Sequence, residues 1–418
     1  MEKHVHGILQ GTIAPPPSKS QAHRLLICAA LGTEPCSIVC SSVNDDIMAT
    51  MRCLNALGAK ITFSSGVFDV LPIEDVKGGI LDCGESGSTL RFLMSVAAVL
   101  GADATFTGAG KLPQRPMSAL TDVLSAHGVC FERHSADELP VTCKGVLQGG
   151  KFSLPGNVSS QYLTGLLFAL PLAAVDSEIE VTGDLTSASY IDMTIDALRV
   201  AGIQIERKDN IFRIKGNQHY RMPRRVAVEG DWSSAAFWVV AGVIGKHPLT
   251  ICGMNNESLQ GDSAIIDHLR SMGAFISVAD DRVVAMPSHL FGAELDCMDT
   301  PDLVPILSVA AAVAQGATIF TNVGRLRFKE SDRLAAMKSV LSSFGISSVV
   351  GEDIFTVYGG EPYPVAPVDS FGDHRIAMSA TVLSTLSNGI AIIKDAGCVA
   401  KSYPSFFEDF AALGGVVG

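Results

Sequence analysis

Apolar and polar positions along the chain define two kinds of helix, and each kind recurs six times. Helices of the first kind are amphipathic and end in a five-residue pattern with a final glycine: LNALG (54–58), LSAHG (124–128), LRVAG (198–202), LRSMG (269–273), LSSFG (341–345) and FAALG (410–414). The glycines are 70, 74, 71, 72 and 69 residues apart. Glycine readily takes the left-handed conformation that ends a helix, so the pattern predicts six helix ends in a repeated architecture.

Helices of the second kind are apolar on all sides, and each follows a short polar loop. These loops begin at Ser18, Gly84, Ser159, Gly230, Thr300 and Gly372. A helix that is apolar all round is predicted to be buried in a core. The loops therefore lie at equivalent points of the repeat, each at the N-terminus of a buried helix.

Short strands complete the predicted repeat. After the final glycine, five copies continue into a hairpin, with Asp209-Asn210 and Asp280-Asp281 at two of the turns. A strand precedes each amphipathic helix, which gives a repeat of strand, helix, hairpin and buried helix. The sixth copy ends without a hairpin, and we expect residues 5–13 to supply its missing strands, so that both termini lie in one domain.

The fold class is therefore α/β, and six repeats in 418 residues favour two domains of three. The run Pro15-Pro16-Pro17 is predicted to be a stiff connector between them, because the proline ring fixes φ. The return crossing is predicted near Glu229-Gly230-Asp231. Domain one then comprises residues 1–15 and 230–418, and domain two comprises residues 16–229.

Composition limits the classes of function. Apolar residues make up 47% of the chain, but the longest apolar run (303–314) is too short to span a membrane. The net charge of −12 argues against a general nucleic-acid surface. Ten cysteines without a CxxC pair predict buried thiols rather than a zinc site or a disulfide framework. Because no apolar or arginine-rich leader follows Met1, we expect a cytoplasmic protein without a membrane or nucleic-acid partner.

The polar loops carry the candidate chemistry. Helix N-termini attract anions, because their N–H groups lack helical partners and the helix dipole is positive there. Near the starts of the buried helices stand Lys19, Ser20, Arg24, Gly87, Ser159, Ser160, Gln161, Asp302, His374 and Arg375. Loops beside the amphipathic helices add Arg115, Lys329, Glu330, Arg333 and Lys401. Arginine binds carboxylate and phosphate through paired hydrogen bonds, so this set predicts a site for a multiply charged acid.

Two of these cations are four residues apart. Lys329 and Arg333 are predicted to share one helix face, with Glu330 beside them. Simpler interpretations of single residues, as helix caps or as a core histidine, apply to Ser159, Asp231, Asp302, Asp373 and His374. The recurrence of charged groups at equivalent repeat positions favours a binding site.

Nine motifs, in this order, resemble the enolpyruvyl transferase family, and in particular its branch that acts on shikimate 3-phosphate. They are PSKSQAHR (17–24), CGESGSTLRFL (83–93), QRPM (114–117), SSQYLTGL (159–166), SYIDMT (189–194), TPDLVP (300–305), RFKESDRL (327–334), GDHRIAM (372–378) and AKSYP (400–404). KESDRL together with DHRIAM is very specific. The resemblance implies two similar domains, each with three βαβαββ repeats around parallel helices, which form an inverse α/β barrel.

The resemblance implies a transferase of the shikimate pathway to chorismate and the aromatic amino acids. It would move the enolpyruvyl group of phosphoenolpyruvate to the 5-hydroxyl of shikimate 3-phosphate by addition and elimination, releasing phosphate. The implied shikimate 3-phosphate contacts are Lys19, Ser20, Arg24, Ser159, Ser160, Gln161, Ser187, Tyr190, Asp302 and Lys329. The implied phosphoenolpyruvate contacts are Lys19, Gly87, Arg115, Gln161, Arg333, Arg375 and Lys401.

The implied catalytic residues are Asp302, Glu330, Lys329, Lys19 and His374. Asp302 is the candidate base for the acceptor hydroxyl, and Glu330 and Lys329 are both candidates for the proton exchanged with the methylene carbon. No metal or organic cofactor is expected, and we expect a monomer. Departures from residues that other members carry, which leave sensitivity to the family inhibitor glyphosate open, are Glu85, Ser88, Ser189 and Arg325.

Other assignments are weaker. The enolpyruvyl transferase that acts on UDP-N-acetylglucosamine is the alternative, but it usually carries a cysteine in the loop before the arginine matched by Arg115, and GAGKLPQRP (108–116) has none. RNA 3′-phosphate cyclases share the fold but lack KESDR and DHRIAM. A repeat protein that only binds phosphoanions would not need acid–base groups such as Asp302 and Glu330.

Overall fold

The computed structural model of the chain describes residues 1–156, 160–183, 185–387 and 389–418, and the described residues form two series of α-helices. The apolar helices that follow the polar loops are α1 (Lys19–Ala30), α3 (Gly87–Leu100), α5 (Ser160–Ala169), α7 (Trp232–Ile244), α9 (Val304–Ala311) and α11 (His374–Ser384). The amphipathic helices are α2 (Asp45–Ala56), α4 (Ser118–Ser125), α6 (Ala188–Val200), α8 (Ile265–Ser271), α10 (Arg333–Ser343) and α12 (Phe406–Ala412).

The chain forms two compact units, each with its own hydrophobic core. Unit 1 comprises Met1–Ser18 and Glu229–Gly418, and unit 2 comprises Lys19–Val228. The predicted domain boundaries, after residues 15 and 229, differ from these limits by three residues and by one residue.

Unit 1 contains three four-stranded sheets. The first has the order β2 (Gly11–Ile13), β15 (Leu249–Cys252), β17 (Arg282–Met286) and β16 (Phe275–Ala279). The second has the order β18 (Glu294–Asp296), β19 (Ala317–Thr321), β21 (Ile354–Tyr358) and β20 (Ser348–Val350). The third has the order β22 (Val368–Asp369), β23 (Ala391–Lys394), β1 (Lys3–Gly7) and β24 (Gly415–Val417).

Unit 2 also contains three four-stranded sheets. The first has the order β14 (Arg225–Ala227), β3 (Cys36–Val39), β5 (Val67–Leu71) and β4 (Lys60–Ser64). The second has the order β6 (Gly79–Asp82), β7 (Ala104–Thr107), β9 (Val141–Gly145) and β8 (Val129–Arg133). The third has the order β10 (Lys151–Pro155), β11 (Ser177–Thr182), β13 (Ile211–Ile214) and β12 (Ile205–Lys208).

The six sheets formed by the described residues share one pairing scheme. An edge strand runs parallel to the second strand, and the remaining neighbours are antiparallel, as β10, β11, β13 and β12 illustrate. The repeat predicted from the hydrophobic pattern lacked this edge strand, because segments as short as Gly11–Ile13 and Val368–Asp369 carry too few alternating positions to be recognised. The βαβαββ repeat implied by the family resemblance has four strands and includes it. The five predicted hairpins are confirmed by the antiparallel pairs that follow the amphipathic helices.

The predicted helix ends are confirmed by backbone geometry. The glycine that closes each amphipathic pattern has a positive φ, from 75° at Gly202 and Gly345 to 116° at Gly58. In this conformation glycine avoids the steric penalty of a side chain. The repeated glycine is therefore a conformational requirement of each helix–hairpin junction.

The N-terminal strand closes unit 1. Strand β1 pairs antiparallel with both β23 and β24, so it completes the sixth sheet as predicted. The prediction was wrong for the rest of residues 5–13, because β2 pairs with β15 of a different sheet. Gly7 ends β1 and Gly11 begins β2, and both have positive φ, 133° and 117°.

The apolar helices form the cores. In unit 2, α3 packs on α5, and Gly165 allows this close approach, since a Cβ there would lie 2.5 Å from the carbonyl oxygen of Arg91. In unit 1, α9 packs on α7 and α11. No helix in the described part of the chain is long and apolar enough to cross a membrane.

The cysteines are free thiols, as the absence of CxxC predicted. The expectation that all are buried was wrong for Cys130, which is exposed on β8, and Cys252 and Cys398 are half-buried. A strand that alternates between the core and solvent exposes a cysteine at an outward position as readily as any other residue.

Candidate active site

The candidate acid–base residues of unit 1 lie at or just before helix starts. Asp302 lies on the 3₁₀ helix Pro301–Leu303, immediately before α9. Arg333 is the first residue of α10, and Asp332 caps that helix by accepting from the backbone N–H of Ala335. Lys329 and Glu330 precede the helix, so the predicted shared helix face of Lys329 and Arg333 is wrong. The cap at Asp332 starts the helix too late to include Lys329.

Arg333 holds three carboxylates. Its side chain is 2% exposed and donates from Nη1 to Asp302 Oδ1 at 2.7 Å, from Nη2 to Glu330 Oε2 at 2.8 Å and from Nε to Asp373 Oδ2 at 2.8 Å. Burial alone lowers the pKa of Arg333, but Asp373, Glu330 and Asp302 outweigh this effect and raise the pKa above its usual value. Arg333 is therefore a permanent cation that fixes the positions of three acids.

Asp302 is surrounded by three cations. Besides Arg333, its carboxylate pairs with Lys329 Nζ at 3.3 Å and accepts from Arg375 Nη2 at 3.2 Å. Burial raises the pKa of Asp302, but Arg375, Lys329 and Arg333 outweigh burial and hold the pKa well below its usual range. The carboxylate is consequently ionised at neutral pH.

Lys329 and Glu330 are the more accessible members of this cluster. Their side chains are 27% and 17% exposed, against 2% for Arg333. Burial lowers the pKa of Lys329, although Asp302 opposes the shift. A lysine with a lowered pKa exchanges its proton more readily near neutral pH than an ordinary one.

The loop before α11 contributes to the same cluster. Asp373 caps α11 by accepting from the backbone N–H of Arg375 at 3.0 Å, and it also binds Arg333, so the cap interpretation and the site interpretation both apply. His374 lies beside Asp373, with Nδ1 3.7 Å from Oδ1, and is buried. Outside this loop, the predicted residue Lys401 ends the 3₁₀ helix Ala396–Lys401 and is also buried.

Sequence reasoning missed one buried acid of unit 1. Asp262 lies on the 3₁₀ helix Gly261–Ala264 and accepts a hydrogen bond from Ser233 Oγ at the start of α7. Burial raises the pKa of Asp262 to about 6, with Arg375 opposing and Asp302 reinforcing the shift. An acid in a QGD segment ahead of an amphipathic helix looks like an ordinary helix-start residue, so its burial could not be read from the sequence.

In unit 2, Lys19 is held by a carboxylate, as the cations of unit 1 are. Lys19, the first residue of α1, donates from Nζ to Asp46 Oδ2 at 3.0 Å. Asp46 lies in the first turn of α2, which Asn44 caps by accepting from Ile47 N. Sequence reasoning missed Asp46 because an acid in a first helical turn is common.

Arg24 is bound by neutral oxygens. It is 2% exposed and donates to Ser20 O at 2.6 Å, Tyr190 O at 2.8 Å and Thr194 Oγ1 at 3.0 Å. Burial lowers the pKa of Arg24 to about 10, with Tyr190 opposing the shift. Its hydrogen-bond partners among the described residues are uncharged, so its charge suits an anionic ligand.

The N-termini of α3 and α5 meet through side chains. Arg91 Nη1 donates to Gln161 Oε1 at 2.5 Å, and Gln161 Nε2 donates to Ser88 Oγ at 3.0 Å. A Cβ at Gly87 would lie 2.9 Å from Arg115 Nη1, so the missing side chain lets that guanidinium reach the start of α3. Gly87, Arg115 and Gln161 are thereby brought together as expected.

Two further predicted residues, Ser187 and Tyr190, lie at the start of α6. Ser187 precedes this helix in the left-handed conformation, with φ of 57°, and Tyr190 lies in its first turn. The Tyr190 ring lies 6.0 Å from the Arg24 guanidinium carbon. Ser160 opens α5, and the predicted contact Ser159 lies outside the described residues.

Metal chemistry has no visible ligand set here. Among the described residues, no group of three or more His, Cys, Asp or Glu side chains is placed to hold a metal ion.

Solved structures share this fold. The EPSP synthase from Acinetobacter baumannii aligns with a TM-score of 0.84 at 24% identity, covering 100% of this chain and 99% of that chain. The enolpyruvyl transferase NikO from Streptomyces tendae aligns with a TM-score of 0.80 at 20% identity, covering 100% and 98%. The fold is thus that of the enolpyruvyl transferases, which confirms the predicted fold class.

Comparisons of sequence identify the family, whereas the solved structures identify only the fold. The family model of EPSP synthase (3-phosphoshikimate 1-carboxyvinyltransferase) matches residues 5–410. The 3-phosphoshikimate 1-carboxyvinyltransferases of Clostridium kluyveri and Clostridium acetobutylicum are each 41% identical, over 412 and 415 residues, covering 98% of this chain and 96% of each relative. The chain belongs to the EPSP synthase family.

Proposed function

We propose that the chain transfers the enolpyruvyl group of phosphoenolpyruvate to the 5-hydroxyl of shikimate 3-phosphate and releases inorganic phosphate. The observation that carries this proposal is the unit 1 cluster, in which Asp302 contacts Lys329, Arg333 and Arg375 while Glu330 is held beside them. Family membership, through relatives named 3-phosphoshikimate 1-carboxyvinyltransferase, supports the same reaction.

The unit 1 residues would carry the proton transfers. Addition requires a proton delivered to the methylene carbon of phosphoenolpyruvate and a proton removed from the acceptor hydroxyl, and elimination returns both. We assign Asp302 to the hydroxyl, and Glu330 or Lys329 to the carbon. His374 would lie next to this cluster through Asp373.

The low pKa of Asp302 makes it a weak base while its cations surround it. Substrate carboxylate or phosphate groups would compete for Arg333, Arg375 and Lys401, which we assign to phosphoenolpyruvate. Each cation drawn away from Asp302 would raise its pKa and strengthen it as a base. Substrate binding would thereby prepare the proton acceptor.

The unit 2 residues would bind substrate anions. We assign Lys19, Ser20 and Arg24 to shikimate 3-phosphate, together with Ser159, Ser160, Gln161, Ser187 and Tyr190. Lys19, Gly87, Arg115 and Gln161 would also bind phosphoenolpyruvate. Support comes from the neutral partners of Arg24 and from the helix N-termini at Lys19 and Gly87.

We also propose that the protein acts in the cytoplasm as a monomer and without nucleic acid. The net charge of −12 supports the last point, since a nucleic-acid surface is ordinarily basic. Light scattering behind size-exclusion chromatography would test the monomeric state, with the mass of one 43.9 kDa chain expected.

The deciding experiment is phosphate release by the purified protein with phosphoenolpyruvate and shikimate 3-phosphate. The matched reaction replaces shikimate 3-phosphate by UDP-N-acetylglucosamine, and a third omits the acceptor. We expect release with the first acceptor only, together with the enolpyruvyl ether of shikimate 3-phosphate by mass spectrometry. Release with UDP-N-acetylglucosamine alone would establish the alternative acceptor, and release with neither would overturn both.

A further inference from the structure

We propose that His23 and Thr50 are positioning residues for phosphoenolpyruvate binding, which fix Lys19 through Asp46 and fix the N-terminus of α3 through Thr89 and Ser86. The proposal rests on the function proposed above. None of these four residues belongs to the implied binding or catalytic set, and all four side chains are buried.

Helices α1 and α2 are joined by two polar contacts on matching faces. Lys19 Nζ donates to Asp46 Oδ2 at 3.0 Å, and one turn further along both helices His23 Nδ1 lies 2.7 Å from Thr50 Oγ1. Residues four apart on a helix lie one above the other. A shift of α2 that breaks the contact of Thr50 would therefore also displace Asp46 from Lys19.

The same network continues to α3. Thr50 Oγ1 lies 2.7 Å from Thr89 Oγ1, and Thr89 Oγ1 donates to Ser86 Oγ at 2.7 Å. Ser86 caps α3 by accepting from the backbone N–H of Thr89 at 3.2 Å. The next residue, Gly87, is the one assigned to phosphoenolpyruvate, so the network ends at an anion-binding helix N-terminus.

The direction of the hydrogen bonds fixes the state of the imidazole. A hydroxyl has one hydrogen, and Thr89 uses its hydrogen toward Ser86 Oγ and the carbonyl oxygen of Asp46. Thr50 must then donate to Thr89, and His23 must donate to Thr50 through Nδ1. Burial lowers the pKa of His23 to about 3, so the ring is neutral at pH 7. His23 thus positions its neighbours and exchanges no proton with substrate.

Unit 2 offers a matched control network made of the same groups. His134 Nε2 lies 2.7 Å from Thr142 Oγ1, which lies 2.9 Å from Thr105 Oγ1. These residues lie on and beside strands β7 and β9, with no assigned site residue in their chain of contacts. Thr142→Val therefore removes an equivalent hydroxyl without reaching α1 or α3.

The test compares Thr50→Val, Thr50→Ser and Thr142→Val by steady-state kinetics and by hydrogen exchange of the substrate-free protein. Valine preserves the shape of threonine but breaks the network, so we expect the KM for phosphoenolpyruvate to rise about tenfold. The KM for shikimate 3-phosphate should rise less, and kcat should fall by a smaller factor than the first KM rises. Exchange at residues 87–89 should accelerate. Thr50→Ser should restore both readouts, and Thr142→Val should change neither.

Equal behaviour of Thr50→Val and Thr142→Val, with normal KM and normal exchange at α3, would overturn the proposal. If Thr50→Val does not fold, His23→Asn and His23→Leu make the same comparison. Asparagine keeps a donor in place of Nδ1 and loses only Nε2, which has no hydrogen-bond partner among the described residues. The exchange readout needs no turnover, so it separates failure of this network from failure of the proposed reaction.

Discussion

Unit 1 neutralises its site cations with carboxylates, whereas unit 2 holds its most buried cation with neutral oxygens. Arg333 binds three acids, and Arg24 donates to a threonine hydroxyl and two backbone carbonyls. A balanced cluster is organised before any ligand arrives and suits proton transfer. A buried cation with neutral partners gains most from an incoming anion, because burial strengthens that attraction. The comparison therefore predicts that the carboxylates that transfer protons belong to unit 1, whereas the buried Arg24 of unit 2 serves only to bind an anion.

Removing single acids from unit 1 should have the largest effect. Asp302→Asn and Glu330→Gln keep size and hydrogen bonding but remove proton transfer, and loss of such a group costs ~10²–10⁴ in rate. Binding of both substrates, measured by calorimetry, should persist because the cations remain. Asp296→Asn, at an exposed acid of the same unit, is the control and should leave turnover unchanged.

Solvent tritium entry into the methylene of phosphoenolpyruvate distinguishes the two candidates for the carbon proton. It should collapse in Glu330→Gln if Glu330 handles that proton. Normal exchange there would transfer the role to Lys329. Near-normal turnover in both variants would falsify the division of roles between the units.

Removing the buried arginines should destabilise the two units unequally. Arg333→Met removes the buried cation that three carboxylates share, although Asp302 keeps Lys329 and Arg375, and should cost about 3–5 kcal/mol. Arg24→Met leaves only neutral acceptors without a donor and should cost about 1–3 kcal/mol. The only tryptophans, Trp232 and Trp238, are buried in unit 1, so their fluorescence reports its unfolding in urea, and circular dichroism reports both units. Equal losses would show that the charge difference between the units is irrelevant to stability.

Substrate affinity tests the role of single cations in each unit. Arg115→Ala and Arg375→Ala each remove a charge-assisted contact of about 1.5–3 kcal/mol, so phosphoenolpyruvate affinity should fall on the order of tenfold to a hundredfold. Shikimate 3-phosphate affinity, measured alone by titration calorimetry, should change much less. Equal losses for the two ligands would mean that the assignment of these arginines is wrong.

The smallest expected effect is an opposite pH response of one buried group in each unit. His23 has a folded-state pKa of about 3, below its unfolded value, so its contribution to stability is present above ~6.5 and is lost as the pH falls. Asp262 has a raised pKa of about 6, so its contribution is present below ~4 and is lost as the pH rises through 6.

Urea unfolding at pH 7.5 and 5.5 tests this response. The free energy of unfolding should rise less from pH 5.5 to pH 7.5 in His23→Asn than in the unaltered protein, by about 1 kcal/mol. Asp262→Asn should not reproduce that change. An unaltered slope in His23→Asn would show that His23 is not buried in a neutral state.

The sequence predicted the repeat, the helix ends and the hairpins, because glycine at positive φ and all-apolar helices leave local signals. The hydrophobic pattern could not predict the edge strands, which only the family resemblance implied, or the fate of Gly11–Ile13, since short strands are chosen by their partners. Within the candidate site, the sequence identified the charged residues that lie in recognisable motifs. It missed Asp46 and Asp262, whose burial and partners arise only in three dimensions, and it misplaced Lys329 because the helix cap lies at Asp332.

The pairing of β1 with β24 has a consequence for synthesis. Unit 2 is one continuous segment, Lys19–Val228, while unit 1 needs both its N-terminal arm and the strand Gly415–Val417 to complete its sixth sheet. On the ribosome, unit 2 therefore has all of its residues available long before unit 1 does, and domains generally fold as they emerge. Within the arm, β2 can pair once β15 has emerged, and β1 gains its first partner with β23, but β1 is paired on both sides only when the last strand appears. We expect protease resistance of stalled nascent chains to appear first in residues 19–228, and to become complete at residues 3–7 only once residue 417 has left the exit tunnel.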